Sequence, residues 1–159
     1  MRETLLLTSR SPDETERIGF ELGRRLGPGD LVALIGDLGV GKTCLARGIA
    51  RGLEVDRRYF SSPSFIILNL YPGRCPLYHV DLYRIDDPEE IEELGILEMA
   101  EKGVCVIEWA EKILHLLPSE RIEVRMEWVD ELTRRIELTA LGEGPRRVLE
   151  GLRREGFGD

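Results

Sequence analysis

Apolar residues recur along the chain at two spacings, that of strands and that of helices, and segments of the two kinds alternate. Continuous apolar runs at Leu31–Ile35 and at 104–107 predict strands that are covered on both faces. Apolar and polar residues alternate over 122–128 and 136–140, which predicts an antiparallel pair joined by a turn around 129–132. Shorter runs predict three further strands, at 3–8, 64–70 and 77–80.

Capping residues mark where the helices begin. Ser11 is followed by Pro12 and Glu14, which predicts an N-cap, a proline in the first turn and a capping box. Apolar and small residues then recur at helical spacing up to Gly27: Thr15, Ile18, Leu22 and Leu26. The same spacing predicts a helix over about 43–53, and a basic helix follows from about residue 145.

Strands that alternate with helices predict a three-layer α/β domain, with a mostly parallel central sheet that carries an antiparallel portion. The chain has 159 residues, the usual length of one domain, so we expect residues 1–159 to form a single domain. Its composition of 42% hydrophobic and 33% charged residues is that of a globular protein with an apolar core.

Several classes of protein are disfavoured by what the sequence lacks. No apolar run approaches the roughly 20 residues of a membrane span, and no signal-peptide pattern opens the chain. The three cysteines, Cys44, Cys75 and Cys105, include no Cys-x-x-Cys pair and are interpreted as small hydrophobic residues in a reducing compartment. We therefore expect a cytoplasmic protein without membrane contact.

The charge distribution bears on possible partners. The net charge of −8 disfavours broad contact with DNA or RNA, which needs a basic surface. Asp87, Pro88 and Glu90 predict the capped start of an acidic helix. Acidic residues are concentrated around it: Asp86, Asp87, Glu89, Glu90, Glu92, Glu93, Glu98 and Glu101. This helix is either a solvated face or a surface that docks a partner protein.

The strongest chemical motif lies between the strand at Leu31–Ile35 and the helix that follows. It matches the Walker A pattern G-x-x-x-x-G-K-[ST] at Gly36, Asp37, Leu38, Gly39, Val40, Gly41, Lys42 and Thr43. Glycines allow successive backbone N–H groups to point at phosphate oxygens, and the helix adds its positive N-terminal end. Lys42 can reach the β- and γ-phosphates, and the Thr43 hydroxyl suits Mg²⁺. The motif predicts a nucleotide-binding protein with a P-loop NTPase-like fold.

Two carboxylates stand at the ends of predicted strands. Asp81 follows the strand at 77–80, and Glu108 follows the strand at 104–107. Ligands of open α/β sheets bind at the carboxyl ends of parallel strands, so either residue could position Mg²⁺ or water. Each could instead cap a nearby helix.

These motifs together resemble the TsaE family, small ATPases of bacterial tRNA threonylcarbamoyladenosine biosynthesis. The resemblance covers roughly residues 10–140. It is carried by the Walker A segment, Ser62-Pro63-Ser64-Phe65, His79-Val80-Asp81-Leu82-Tyr83-Arg84 and Glu108-Trp109.

The resemblance implies an Mg²⁺-dependent ATPase that works with the proteins TsaB and TsaD and meets tRNA indirectly, through their complex. The C-terminal arginines, among them Arg146 and Arg153, would permit a local contact of this chain with tRNA.

The resemblance also implies that Thr43 and Glu108 hold the metal and that Lys42 and Asp81 serve catalysis. Trp109, next to Glu108, is expected to contact the nucleotide or a partner, or else to pack in the core. The segments containing Ser62 and His79 would be mobile switch regions, although His79 could also be an ordinary buried histidine. A P-loop small-molecule kinase and a nucleotide-dependent binding switch are the alternative functions.

Overall fold

A computed structural model describes residues 2–60 and 68–158 of the chain. Its helices and strands are β1 (Arg2–Ser9), α1 (Pro12–Gly23), β2 (Leu31–Ile35), α2 (Lys42–Gly52), β3 (Leu68–Tyr71), β4 (Leu77–Asp81), α3 (Pro88–Glu93), α4 (Ile96–Lys102), β5 (Val104–Glu108), β6 (Arg121–Trp128), β7 (Arg134–Leu141) and α5 (Glu143–Arg154). Two 3₁₀ turns, Ala110–Lys112 and Leu114–Leu116, follow β5.

All seven strands of the described residues form one mixed sheet in the order β1-β7-β6-β2-β5-β4-β3. The four inner strands β6, β2, β5 and β4 are parallel to one another. Antiparallel pairings extend the sheet at both edges, β6 with β7 and β7 with β1 on one side and β4 with β3 on the other. The predicted α/β class, with a parallel centre and an antiparallel portion, is confirmed.

Two apolar cores lie on opposite faces of the sheet. Val32 and Leu34 of β2 belong to the first core, which contains residues of α1, α2 and α5. Leu31, Ala33 and Ile35 of the same strand belong to the second core, with residues of α3, α4 and the first 3₁₀ turn. Side chains of a strand point alternately to its two faces, so the continuous apolar run of β2 supplies both cores. Helices on both faces confirm the three layers.

The structure corrects several predicted element bounds. The helix predicted to run to Gly27 ends at Gly23, although Leu26 is still buried. The acidic segment is two short helices, because Gly95 adopts a left-handed φ of 69° between α3 and α4. The basic helix, predicted from about residue 145, spans Glu143–Arg154. Of the strand predicted over 64–70, β3 begins at Leu68, and residues 61–67 lie outside the described part of the chain.

The predicted caps are present with small differences in their hydrogen bonds. The Ser11 side chain accepts from the backbone N–H of Glu14 at 3.1 Å, as a capping box requires. The Glu14 carboxylate in return accepts from the backbone N–H of Arg10, at 2.6 Å, and not from that of Ser11. The Asp87 side chain caps α3 by accepting from the backbone N–H of Glu89, at 3.0 Å, and not from that of Glu90, as a capping box would require.

Two further observations concern membrane spans and the cysteines. Within the described residues, none of the helices is long and apolar enough to cross a membrane. The three cysteines are free thiols, of which Cys75 and Cys105 are buried, and burial raises the pKa of Cys105 to about 12.

Helices α1 and α2 are in backbone contact through paired glycines. A Cβ atom built on Gly48 would lie 2.9 Å from the Cα of Gly19 and would meet the backbone carbonyl of Glu16. A Cβ on Gly19 would lie 3.0 Å from the Cα of Gly48. One turn later, a Cβ on Gly52 would lie 2.8 Å from the carbonyl carbon of Gly23, and a Cβ on Gly23 would meet the backbone of Ile49. This contact holds the phosphate-loop helix α2 against α1.

Replacing Gly48 with alanine should therefore destabilise the protein by about 1–3 kcal/mol, because a methyl group would force two helix backbones apart. Chemical denaturation of the wild type and the variant measures this change. Gly27→Ala is the matched control, since a Cβ at Gly27 meets nothing within 4 Å and the substitution should be neutral or slightly stabilising. Equal unfolding midpoints for wild type and Gly48→Ala would contradict the close contact.

Candidate nucleotide-binding site

The Walker A segment forms the connection between β2 and α2. Gly39 and Gly41 adopt left-handed φ values of 80° and 114°, which side chains with a Cβ rarely tolerate. Gly41 is the N-cap of α2, and no side chain caps this helix end. The first turn of α2 therefore directs its backbone N–H groups and the positive end of its dipole toward the loop, as anion binding requires.

Lys42 is almost fully buried at the start of α2, with 4% of its surface exposed. Its Nζ donates a hydrogen bond to the carbonyl oxygen of Gly36 and lies 3.4 Å from the ring centroid of Trp109. Burial lowers the pKa of Lys42, and nearby carboxylates oppose that shift: Glu111, Glu108, Asp81 and Asp37. The lysine charge is thus held inside the loop by a carbonyl and an aromatic face.

Thr43 and Glu108 are in direct contact. The Thr43 hydroxyl donates to the Glu108 carboxylate, at 3.0 Å from Oε1 and 3.3 Å from Oε2. Glu108 ends β5 and is only 3% exposed. Its Oε2 also lies 2.6 Å from Nε2 of His79 on the neighbouring strand β4. The carboxylate is thereby held between a hydroxyl and an imidazole.

Asp81 lies beside this pair. It ends β4 and stands opposite Glu108 in the parallel register of the two strands. Its Oδ1 accepts from the backbone N–H of Tyr83 at 2.9 Å. Burial raises the pKa of Asp81, the Tyr83 N–H opposes that shift, and the charge of Glu108 adds to it. A second carboxylate therefore adjoins the buried one without sharing its hydrogen bonds.

This donor set fits Mg²⁺ that is held partly by phosphates. Carboxylate and hydroxyl oxygens are the hard ligands that Mg²⁺ prefers, and it commonly uses one or two carboxylates together with substrate phosphates and waters. Within the described residues, no cluster of three or more His, Cys, Asp or Glu side chains could hold a metal alone. Thr43 and Glu108 suit a metal that arrives with a nucleotide.

Trp109 has an unusual backbone. Its φ of 63° is left-handed, and only one other non-glycine residue of the described chain, Glu54, has a positive φ. A bulky residue in this conformation costs free energy and is a reason to look for function. The conformation places the indole against Lys42, and the Tyr83 ring lies 5.2 Å from it between centroids.

The hairpin between β6 and β7 also reaches the loop, which sequence analysis did not predict. Arg134 Nε donates to the carbonyl oxygen of Val40 at 2.9 Å. Its guanidinium lies 3.7 Å from the ring centroid of Trp128, and further hydrogen bonds join it to the hairpin backbone. The alternating pattern identified the hairpin, but it contained no information on where the hairpin tip would lie.

The structure brings most of the predicted site residues together at the carboxyl ends of β2, β4 and β5. Lys42, Thr43, Glu108 and Trp109 are linked by the contacts above, and Asp81 is adjacent. In the loop itself, the side chain of Leu38 is 66% exposed, so this residue can contribute to phosphate binding only through its backbone. The Ser62 segment lies outside the described residues.

Comparison with known proteins identifies relatives over most of the chain. Residues 9–136 match the family described as threonylcarbamoyl adenosine biosynthesis protein TsaE. A Bacillus subtilis protein named tRNA threonylcarbamoyladenosine biosynthesis protein TsaE is 40% identical over 146 residues, which are 91% of this chain and 90% of that protein. The Treponema pallidum protein of the same name is 39% identical over 88% of this chain and 95% of its own.

A solved structure has the same architecture. The crystal structure of Bacillus subtilis YdiB superposes with a TM-score of 0.82 and 34% sequence identity. The match covers 98% of this chain and 97% of that chain. The similarity therefore extends over the whole sheet and its helices.

Arg134→Met should loosen the phosphate loop, because the hydrogen bond from Arg134 Nε to Val40 and the stacking on Trp128 are both lost. We expect amide hydrogen exchange at residues 37–41 to become about tenfold faster, the effect of losing roughly 1.4 kcal/mol of local stability. Arg135→Met is the matched control, since Arg135 is exposed in the same strand. Equal loop exchange in the two variants would show that Arg134 does not hold the loop.

Proposed function

Since the chain belongs to the TsaE family of threonylcarbamoyl adenosine biosynthesis proteins, we propose that it is the ATP-binding and ATP-hydrolysing component of this tRNA modification system. It acts together with TsaB and TsaD in the cytoplasm and does not transfer the threonylcarbamoyl group itself. Contact with tRNA is made through the complex.

One observation carries the ATPase proposal. The Thr43 hydroxyl, at the start of α2, lies 3.0 Å from the carboxylate of Glu108, at the end of β5. These residues belong to motifs 65 positions apart in the sequence. A phosphate loop next to a strand-end carboxylate is the arrangement in which P-loop NTPases hold Mg²⁺ beside the phosphates.

Each side chain has a distinct task in this proposal. The loop N–H groups and Lys42 bind the phosphates. To do so, Lys42 Nζ leaves its contacts with Gly36 and Trp109 and binds phosphate oxygens instead. Thr43 and Glu108 hold Mg²⁺. When bound, the metal neutralises negative charge on the phosphates and so favours attack on the γ-phosphate.

Asp81 orients the attacking water or a metal-bound water in this proposal. Its carboxylate is half-buried and adjacent to Glu108, and its backbone neighbour Tyr83 fixes one of its oxygens. Burial raises the pKa of Asp81, which makes it a better hydrogen-bond acceptor for water than a fully exposed carboxylate.

We infer slow intrinsic turnover and dependence on partners because the site's motifs contain few arginines, and Arg134, which reaches the loop, is held by Val40 and the hairpin backbone. The Walker A segment contains no arginine, and Arg84 is the only arginine in the two strand-end motifs. An arginine supplied by another protein is a recurring way to complete phosphoryl-transfer sites. We infer that association with TsaB and TsaD stimulates hydrolysis.

A purified complex provides the test of this function. The chain alone should release phosphate from ATP slowly, and addition of TsaB with TsaD should accelerate release at least tenfold. Lys42→Ala should abolish both rates, because the cation aimed at the phosphates is lost. Fast turnover that ignores the partners would contradict the proposal, and phosphate transfer to a small acceptor would identify a kinase.

The two carboxylates should have separable effects on ATP binding. Glu108→Ala should weaken the Mg²⁺-dependent part of ATP affinity about tenfold or more and also impair turnover, because Glu108 is proposed to hold the metal. Asp81→Asn should largely retain binding and slow single-turnover hydrolysis by about two orders of magnitude. Calorimetric titration with and without Mg²⁺ distinguishes the two effects.

Glu101→Ala is the control for removing a carboxylate, because Glu101 is exposed on α4. If Asp81→Asn loses Mg²⁺-dependent binding while Glu108→Ala retains it, the two roles are reversed.

A further inference from the structure

His79 has no exposed surface, although it lies on the strand that leads into the site. It belongs to β4, two residues before Asp81. Burial of an imidazole is unfavourable unless its nitrogens are hydrogen-bonded, so the partners of this ring indicate its purpose. Sequence analysis alone could not separate an ordinary core histidine from a functional one.

The hydrogen bonding of His79 is directed entirely at the candidate metal ligand. Its Nε2 lies 2.6 Å from Oε2 of Glu108. Its Nδ1 is buried and has no hydrogen-bond partner among the described residues. Because an ionised carboxylate only accepts, we assign the ring proton to Nε2, which donates the hydrogen bond to Glu108. If packing were the only role of this side chain, a leucine would fill the core equally well. The bond to Glu108 therefore indicates a further role.

Aromatic neighbours fix the orientation of the imidazole. The Phe60 ring is stacked on it, with centroids 5.4 Å apart and planes inclined by 16°. The Tyr71 ring lies 6.5 Å away at 37°, and Phe60 and Tyr71 are themselves stacked at 5.3 Å. The ring plane is therefore set by packing, and Nε2 points at the Glu108 carboxylate.

Glu108 is in turn fixed from two sides. His79 holds Oε2, and the Thr43 hydroxyl donates mainly to Oε1, at 3.0 Å. Loss of the His79 bond would leave the Thr43 hydroxyl to restrain the terminal torsion of this buried carboxylate, which is 3% exposed. The His79 bond therefore fixes the orientation of the carboxylate plane beside Thr43.

We propose that His79 is a positioning residue that aligns the Glu108 carboxylate with the Thr43 hydroxyl and thereby sets the affinity and selectivity of the site for Mg²⁺. This inference rests on the proposed function, because it concerns the same metal. Residues that orient a metal ligand through a hydrogen bond commonly contribute 10–100-fold to metal affinity. Mg²⁺ requires strict octahedral geometry whereas Ca²⁺ accepts irregular sites, so a fixed carboxylate favours Mg²⁺.

The test uses three substitutions at one position. His79→Leu removes the donor and keeps an apolar side chain of moderate size. His79→Gln places an amide N–H close to the position of Nε2, whereas the shorter His79→Asn cannot reach Glu108. For each variant we would measure ATP affinity in EDTA, then the affinity of the ATP complex for Mg²⁺ and for Ca²⁺, all by calorimetry.

His79→Leu and His79→Asn should bind ATP in EDTA within about twofold of the wild type. Their affinity for Mg²⁺ should fall about tenfold, and their affinity for Ca²⁺ should fall much less. His79→Gln should recover most of the Mg²⁺ affinity. A general loss of structure would weaken ATP binding in EDTA as well and would not be rescued by glutamine.

Val80→Ala is the matched control, because Val80 is buried in the same strand and faces the other core. It should lower the thermal unfolding temperature without changing the ratio of Mg²⁺ to Ca²⁺ affinity. If His79→Leu does not fold, the comparison of glutamine with asparagine gives the same answer.

The outcomes separate the two proposals. A wild-type protein that binds no ATP would overturn the proposed function itself. A wild-type protein with Mg²⁺-dependent ATP binding, and His79 variants with unchanged Mg²⁺ affinity and selectivity, would overturn only the positioning role. Equal losses of ATP affinity with and without the metal would also overturn it, since they would show that His79 is purely structural.

Discussion

The negative charge of Glu108, buried at the end of β5, is the constraint on which the arrangement of the site depends. A carboxylate with 3% exposure is strongly unfavourable unless hydrogen bonds and a nearby cation compensate for lost hydration. Thr43 and His79 supply the hydrogen bonds, and Lys42 supplies a positive charge in the same region. Three elements, α2, β4 and β5, must therefore meet with their functional ends in register. The contacts that stabilise this one buried charge therefore also assemble the proposed nucleotide site.

Local chemistry was predictable from the sequence, and contacts between distant segments were not. The apolar run of β2, the glycines of the loop and the hydroxyl at Thr43 identify the phosphate loop because each has a local physical reason. The hairpin of β6 and β7 was predictable because its alternation is also local. The contact of His79 with Glu108 runs diagonally between two strands, and that of Arg134 with Val40 joins residues 94 positions apart. No sequence spacing encodes such contacts, which depend on the order and register of the strands.

Two smaller errors concern where helices end. The acidic segment was predicted as one helix because its charge pattern is continuous, but Gly95 at a φ of 69° ends one helix and begins another. The first helix was extended to Gly27 because Leu26 continues the apolar spacing. Leu26 is buried in the first core, although it lies beyond the helix end. Apolar periodicity indicates which residues are buried and is less informative about where a helix stops.

The glycine contacts between α1 and α2 have a consequence for how the protein can change shape. Helices separated by long side chains can slide past one another as those side chains change rotamer, which is the shear type of motion. Here backbone touches backbone at Gly19 and Gly48, so there are few side chains whose rotamers could absorb such sliding. Both helices also belong to the first core, against the sheet. The start of α2 is accordingly a fixed reference point, so under the proposed function a nucleotide would bind to a rigid loop and helix end. Any motion that accompanies binding or hydrolysis must come from side chains such as Lys42 and from the connections beyond this helix pair.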